Sequence, residues 1–193
     1  MQHLQIEKAA VIGCSMGGEI ALDLTLEHPE LISALVLVST APGGFEMQGE
    51  PPPVMLEMIG ALQQNDLQRA SELQLRLWID GPFRTPDQVN SETRQKAAIM
   101  NQIAVSNMTW IKADSEPNQP LDPPAVAQLA SLQVPVLIVA CELDHPEILR
   151  AAEFMDNLLP NAQKKILPES AHLPNMERAE LFNQAVLEFL QGV

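Results

Sequence analysis

Residues 8–29 read Lys8-Ala-Ala-Val-Ile-Gly-Cys-Ser-Met-Gly-Gly-Glu-Ile-Ala-Leu-Asp-Leu-Thr-Leu-Glu-His-Pro29. The stretch opens with a short, unbroken apolar run ending at Gly13, the pattern of a strand buried on both faces of a parallel sheet. Beyond Ser15 the periodicity changes. Ile20, Ala21, Leu24 and His28 fall at helical spacing, and Pro29 marks the stop. Between strand and helix sits Gly13-Cys-Ser-Met-Gly17, a G-x-S-x-G turn in the context that gives this pattern meaning. Such a turn is strained, and it lifts the central hydroxyl clear of the sheet while small neighbours keep the backbone out of the way. Ser15 also stands at a helix N-terminus, where free N–H groups favour developing negative charge. Ser15 is therefore the candidate nucleophile, and the Met16 N–H one candidate oxyanion donor. The competing reading is a glycine-rich turn that binds phosphate, but no Gly-Lys-Ser/Thr follows it.

Residues 34–39 form a second buried apolar run, so the first forty residues read strand–helix–strand. From about residue 40 to 133 the character shifts. Loop material at Pro42-Gly-Gly44 and Glu50-Pro-Pro-Pro53 precedes helical patterns at 54–63, 66–78 and 91–108. Pro117, Pro120, Pro123 and Pro124 then precede a last short helix at 125–132. With no clear strand here, a mostly helical insertion between two sheet strands is expected. The sheet resumes at 134–140, with Pro135 tolerable only at the strand's start. A helix over 146–159 places Ile148, Ala152, Met155 and Leu159 on one face. A fourth strand at 163–167 carries Lys164 and Lys165, the mark of a sheet edge. A final helix over 177–190 aligns Leu181, Phe182, Ala185, Val186, Phe189 and Leu190 as one apolar stripe. The expected class is α/β, with about four parallel strands flanked by helices.

Composition removes several functions. A chain of 193 residues with 46% hydrophobic and 19% charged residues can bury a core. A formal charge of −14 repels phosphate backbones and anionic lipid, so neither nucleic acid nor membrane is expected as a partner. No apolar run approaches the roughly 18 residues of a membrane helix. Met1-Gln2-His3-Leu4-Gln5 has neither the basic start nor the apolar stretch of a secretion signal. Two cysteines make no disulfide framework, and a reducing, cytoplasmic location is the expectation.

A serine nucleophile needs a base and a group to orient it. The histidines are His3, His28, His145 and His172. His3 precedes the first strand, and His28 lies at the far end of the helix from Ser15. Parallel-sheet sites form at the carboxyl ends of strands, and only His145 and His172 follow strand ends. Asp144 is adjacent to His145 and cannot easily orient it. The better pairing is His172 as base with Asp144 as orienting acid. Glu142 is a rival acid, whereas Ser39-Thr-Ala-Pro-Gly-Gly44 contains no carboxylate.

These pieces resemble the α/β-hydrolase superfamily, and are similar to its small esterase- and lactonase-like branch with a helical cap. The resemblance rests on Gly13-Cys-Ser-Met-Gly-Gly18, Leu35-Val-Leu-Val-Ser39, Val136-Leu-Ile-Val-Ala-Cys-Glu-Leu-Asp144 and Ala171-His-Leu-Pro-Asn-Met-Glu177. It implies a Ser15–His172–Asp144 triad, in the family's chain order, acting on an ester or lactone through an acyl-enzyme without cofactor or metal. It also implies a core from residues 1–40 and 134–193, with a cap or lid from 41–133. Cys141 and Ala179 depart mildly from the family's glycine and proline. The large departure is at the front: the nucleophile follows the first strand here, where the family places it after the fifth. The resemblance thus implies a truncated chain without the loop that supplies the second oxyanion N–H. The expected consequences are weak or absent activity and an edge-paired assembly or homo-oligomer, the alternative function being an inactive chain that acts only by assembly with another polypeptide.

Lesser features carry bland readings. Cys14 and Cys141 end strands two spacings apart, about 9.6 Å, too far for a disulfide, and are expected as buried thiols. Cys14, Cys141, His145 and His172 match no metal-site spacing. Met47, Met55, Met58, Met100 and Met108 are expected to pack helices, or to line an apolar acyl site. Trp78 and Trp110 are expected in core packing ahead of a pocket.

Overall fold

The four apolar runs form one parallel sheet in the order β1 (Ala9–Cys14), β2 (Ile32–Val38), β3 (Val136–Cys141) and β4 (Ala162–Leu167). The architecture is that of a computed structural model, which describes residue 3, residues 5–109 and residues 120–193. Every residue of β3 is buried, as is all of β2 except Ser33. Such continuous Val/Ile/Leu runs suit a sheet covered on both faces. The alternation of side chains along each strand then divides the core in two. Leu35, Leu37, Val136 and Ile138 pack with α1 (Met16–Glu27) and α5 (Pro146–Leu158). Ala34, Val36, Val38, Leu137 and Val139 pack on the other face with α7 (Ala179–Gln191).

Between β2 and β3 lie α2 (Pro53–Gln63), α3 (Leu67–Leu75) and α4 (Ser91–Ser106). They enclose a small core of their own around Met58, Leu62, Ala70, Leu73 and Val105. Asp66 caps α3 by accepting from the Arg69 N–H at 3.1 Å, and Asn90 caps α4 from the Thr93 N–H at 3.0 Å. Where the pattern continued as helix to Trp78, the chain widens into a π turn (Arg76–Asp80) and ends at Gly81, whose φ is 73°. A short α6 (Pro174–Glu177) precedes α7.

Several elements differ from expectation for identifiable reasons. β1 is not buried on both faces. It is an edge strand, Ala10 is exposed and Ile12 is 50% exposed. α1 turns its Gly18–Ala21–Leu22–Thr25 face inward and leaves Ile20 and Leu24 exposed. Leu22 packs into the core on this face, and only a glycine fits at position 18, where a Cβ would lie 2.6 Å from the Thr40 side chain. Residues 125–132 form two 3₁₀ turns instead of a helix, drawn onto the sheet by Ala125, Leu129 and Leu132. The final helix is broken at Arg178 (φ −133°); Glu177 turns to Arg84, Phe182, Val186, Phe189 and Leu190 of α7 pack on the sheet, and Leu181 of the expected stripe is left 41% exposed. Pro135 does precede β3, and Lys164 on edge strand β4 pairs with Glu153 and with Asp156 at 2.9 Å. Trp110 and Pro117 lie outside the described residues.

Among the described residues β1 has a strand neighbour on one side only. Hydrogen exchange followed by NMR should therefore show strong protection throughout β3, with the alternate β1 amides that face away from β2 exchanging far sooner. Equal protection along β1 and β3 would show that the outer side of β1 is covered.

Candidate active site

At the end of β1 the chain turns sharply, and Ser15 takes φ 53° and ψ −124°, a conformation that costs a non-glycine residue of order 1–3 kcal/mol. Neighbouring groups hold it there. The Ser15 N–H donates to the Val38 carbonyl at 2.9 Å, and Thr40 Oγ1 donates to the Ser15 carbonyl at 2.6 Å. The turn closes so tightly that a Cβ on Gly13 would lie 2.1 Å from the Gly17 carbonyl oxygen. Gly17 itself meets nothing within 4 Å, so of the two glycines in the G-x-S-x-G pattern only Gly13 is required by space. Among the described residues the Met16 N–H donates to no protein acceptor, which leaves it free at the helix N-terminus.

Asp144 and His172 arrive on the loops after β3 and β4. The two loops are stitched together by the Leu143 N–H donating to the Ser170 carbonyl at 3.0 Å. Asp144 is buried and accepts from the His145 N–H at 2.7 Å. His172 is buried beside it, with Nδ1 at 3.0 and 3.1 Å from the two Asp144 oxygens. Its Nε2 lies 2.8 Å from Ser15 Oγ. A carboxylate can only accept, so Nδ1 carries the proton in the neutral ring and Nε2 accepts from the serine hydroxyl. The three side chains singled out in the sequence are thus in one hydrogen-bonded line. The rival acid, Glu142, is spent elsewhere, accepting from the Glu169 N–H at 3.0 Å. His145 caps α5, its Nδ1 accepting from the Glu147 N–H at 3.3 Å.

The line opens into a cavity of about 340 Å³. Met47, Pro52, Met55, Leu77, Trp78 and Ile148 form most of its apolar wall, so Met47, Met55 and Trp78 border open space where helix and core packing was the expectation, although Met55 and Trp78 also pack against the helical core in which Met58 is buried. The loop bearing Met47 is tied to α5. The Gln48 N–H donates to Glu147 at 2.7 Å, and the Arg150 guanidinium, paired with Glu147, lies 4.2 Å over the Phe45 ring. Cys14 and Cys141 are free thiols, pushed up to about 12 and about 11, first by burial. They are protonated at neutral pH and compete poorly as nucleophiles. No individual sequence signal marks Thr40, Arg84 or the tight Gly81 turn, because each acts through contacts across the fold.

A family model described as the alpha/beta hydrolase fold matches residues 1–179. The chain belongs to the α/β-hydrolase family. It is 26% identical over 197 residues to a putative 2-succinyl-6-hydroxy-2,4-cyclohexadiene-1-carboxylate synthase of Bacillus subtilis, covering 99% of this chain and 69% of that protein. It is 28% identical over 188 residues to a pimeloyl-[acyl-carrier protein] methyl ester esterase of Yersinia enterocolitica, covering 96% of this chain and 70% of the relative. The enol-lactonase structure from Burkholderia xenovorans superposes with a TM-score of 0.70 at 22% identity, over 99% of this chain and 68% of that one, a likeness of fold. No helix among the described residues is long and apolar enough to cross a membrane.

The glycine geometry yields a paired prediction. Gly13→Ala should lower stability by about 1–3 kcal/mol through overpacking, whereas Gly17→Ala should stay within about 1 kcal/mol of the parent chain. Urea unfolding midpoints check both, and equal effects would contradict the turn geometry.

Proposed function

We propose that the chain is a serine hydrolase of carboxylic esters or lactones. The observation that carries this reading is the continuous line from Ser15 Oγ through His172 to Asp144, at 2.8 and 3.0 Å, at the mouth of an apolar cavity. Ser15 attacks the acyl carbon while His172 Nε2 takes its proton. Asp144 keeps the ring oriented and stabilises the imidazolium, and the free Met16 N–H holds part of the oxyanion. His172 returns the proton to the leaving alkoxide, which leaves Ser15 acylated. A water, deprotonated by His172 in turn, releases the acid. The helices between β2 and β3 act as a cap over the cavity, whose wall includes Met55, Leu77 and Trp78 from that insertion. The esterase activity named for the Yersinia relative supports the same chemistry.

The cavity also favours one substrate charge. Among its described lining residues there is no Lys or Arg, and of the three carboxylates that border it Asp144 is paired with His172 and Glu147 with Arg150. The preferred substrate is a small, uncharged, apolar ester.

Replacing Ser15 or His172 by Ala should reduce turnover of a short-chain aryl ester by about 10⁵-fold or more, and Asp144→Asn by about 10⁴-fold. Initial-rate kinetics on folded variants check this, and full activity in Ser15→Ala would sink the assignment. Between two aryl esters that differ only by a carboxylate on the acyl chain, kcat/KM should be about tenfold or more higher for the neutral one, since the apolar wall offers no cation to pair a buried carboxylate. A preference for the anionic ester would contradict the pocket reading.

One observation favours a second reading. Among the described residues one side of edge strand β1 has no strand neighbour, and Ile12 of β1 and Met16, Ile20 and Leu24 of the adjoining helix are exposed apolar side chains. On this reading the chain is inactive alone and works only after pairing with a second copy or another polypeptide. Sedimentation combined with turnover separates the two. An active monomer supports the hydrolase acting by itself, and activity confined to an assembled species supports the second.

A further inference from the structure

We infer that Glu177 and Arg84 form a positioning clamp through which the helical insertion holds the His172 backbone in register with Ser15 and Asp144. Glu177 sits five residues past His172, with its side chain only 4% exposed. A carboxylate this buried must be matched by donors. Burial pushes its carboxyl above the ordinary value, against the pull of its two partners. One partner is the Ala171 N–H, the residue immediately before His172, which donates to Glu177 Oε1 at 2.8 Å. The other is Arg84 of the insertion, whose Nη2 lies 2.7 Å from Glu177 Oε2.

Arg84 is itself fixed. Its Nε donates to the Asp80 carbonyl at 2.9 Å and its Nη2 to the Ile79 carbonyl at 2.7 Å. The turn that supplies those carbonyls is anchored by the 1% exposed Asp80 side chain, which accepts from Arg94 at 2.9 and 3.1 Å. The same turn presses on both catalytic loops at Gly81. A Cβ there would lie 2.8 Å from the Leu143 carbonyl oxygen and 2.9 Å from Ala171 Cβ. Leu143 precedes Asp144 and Ala171 precedes His172, so one turn of the insertion braces the acid and the base from behind.

Neither Glu177 nor Arg84 lines the cavity that holds Ser15. Both border a separate polar cleft. They therefore act on the reaction only through the backbone they hold. A buried ion pair adds little net stability over well-packed apolar residues, but its directional hydrogen bonds specify where the Ala171–His172 peptide sits. A misplacement of the base by about 1 Å is enough to cost about a hundredfold in rate.

The kinetic arm of the test rests on the hydrolase reading, and the spectroscopic arm does not. Glu177→Ala, Arg84→Ala and the double variant should each lower kcat for a short-chain aryl ester about ten- to hundredfold, with KM within about threefold. The double variant should be no worse than the worse single one. Glu177→Gln, which keeps an acceptor for the Ala171 N–H, should recover part of the loss. In proton NMR the downfield resonance of the His172 Nδ1–H should broaden or shift in the Ala variants and persist in Glu177→Gln. If an Ala variant does not fold, Glu177→Met and Arg84→Met, which keep the bulk and remove the polar contacts, decide by the same two readouts. Folded variants with unchanged kcat and an unmoved resonance overturn the clamp, as does a rise in KM at constant kcat. If the parent chain hydrolyses no ester, the function fails while the resonance still decides the clamp.

Discussion

The backbone of Ser15 is the constraint on which the site depends. A serine at φ 53° and ψ −124° is held against its own preference by the ends of neighbouring segments, through the Val38 carbonyl and the Thr40 hydroxyl. That geometry works only if the strand and helix flanking Ser15 approach to contact. Gly13 permits the approach to Gly17, and Gly18 permits the approach to Thr40. A parallel sheet with β2 buried beside β1 is what brings Val38 and Thr40 to this point. The central sheet and the strained turn are thus one mechanical unit.

The remaining parts are assembled around that unit from the carboxyl ends of β3 and β4, where parallel sheets gather their loops. Asp144 and His172 come from separate loops, so the line they form with Ser15 needs those loops to be fixed to each other. Leu143 and Ser170 fix them through the backbone, and the turn at Gly81 packs against both. The insertion consequently contributes to the site twice, once as apolar wall at Met55, Leu77 and Trp78, and once as a brace behind the loops.

Much of this was legible in the sequence because its signals are local. Unbroken apolar runs marked β2 and β3, Pro29 and Pro146 bounded helices, and Ser15, Asp144 and His172 each followed a strand end. What escaped is set by tertiary context. The apolar run of β1 by itself reads as a strand buried on both faces, and only the family resemblance, which places further strands before the nucleophile, implied the open edge at which Ile12 is exposed. The stripe Ile20–Leu24 pointed the wrong way because the face that meets the sheet is Gly18, Ala21, Leu22 and Thr25, where Leu22 packs into the core and Gly18 permits the close approach to Thr40. The buried Glu177 just before the break at Arg178 is paired with Arg84, more than ninety positions away in the chain.

The central claim is that the Ser15 hydroxyl, activated by His172, is the nucleophile. It is tested most directly with a fluorophosphonate, which phosphonylates an activated serine and displaces fluoride, followed by peptide mass spectrometry of the adduct. The account predicts one adduct, on Ser15, abolished in Ser15→Ala and strongly slowed in His172→Ala. An adduct on another residue, or labelling that persists unchanged without His172, would contradict it.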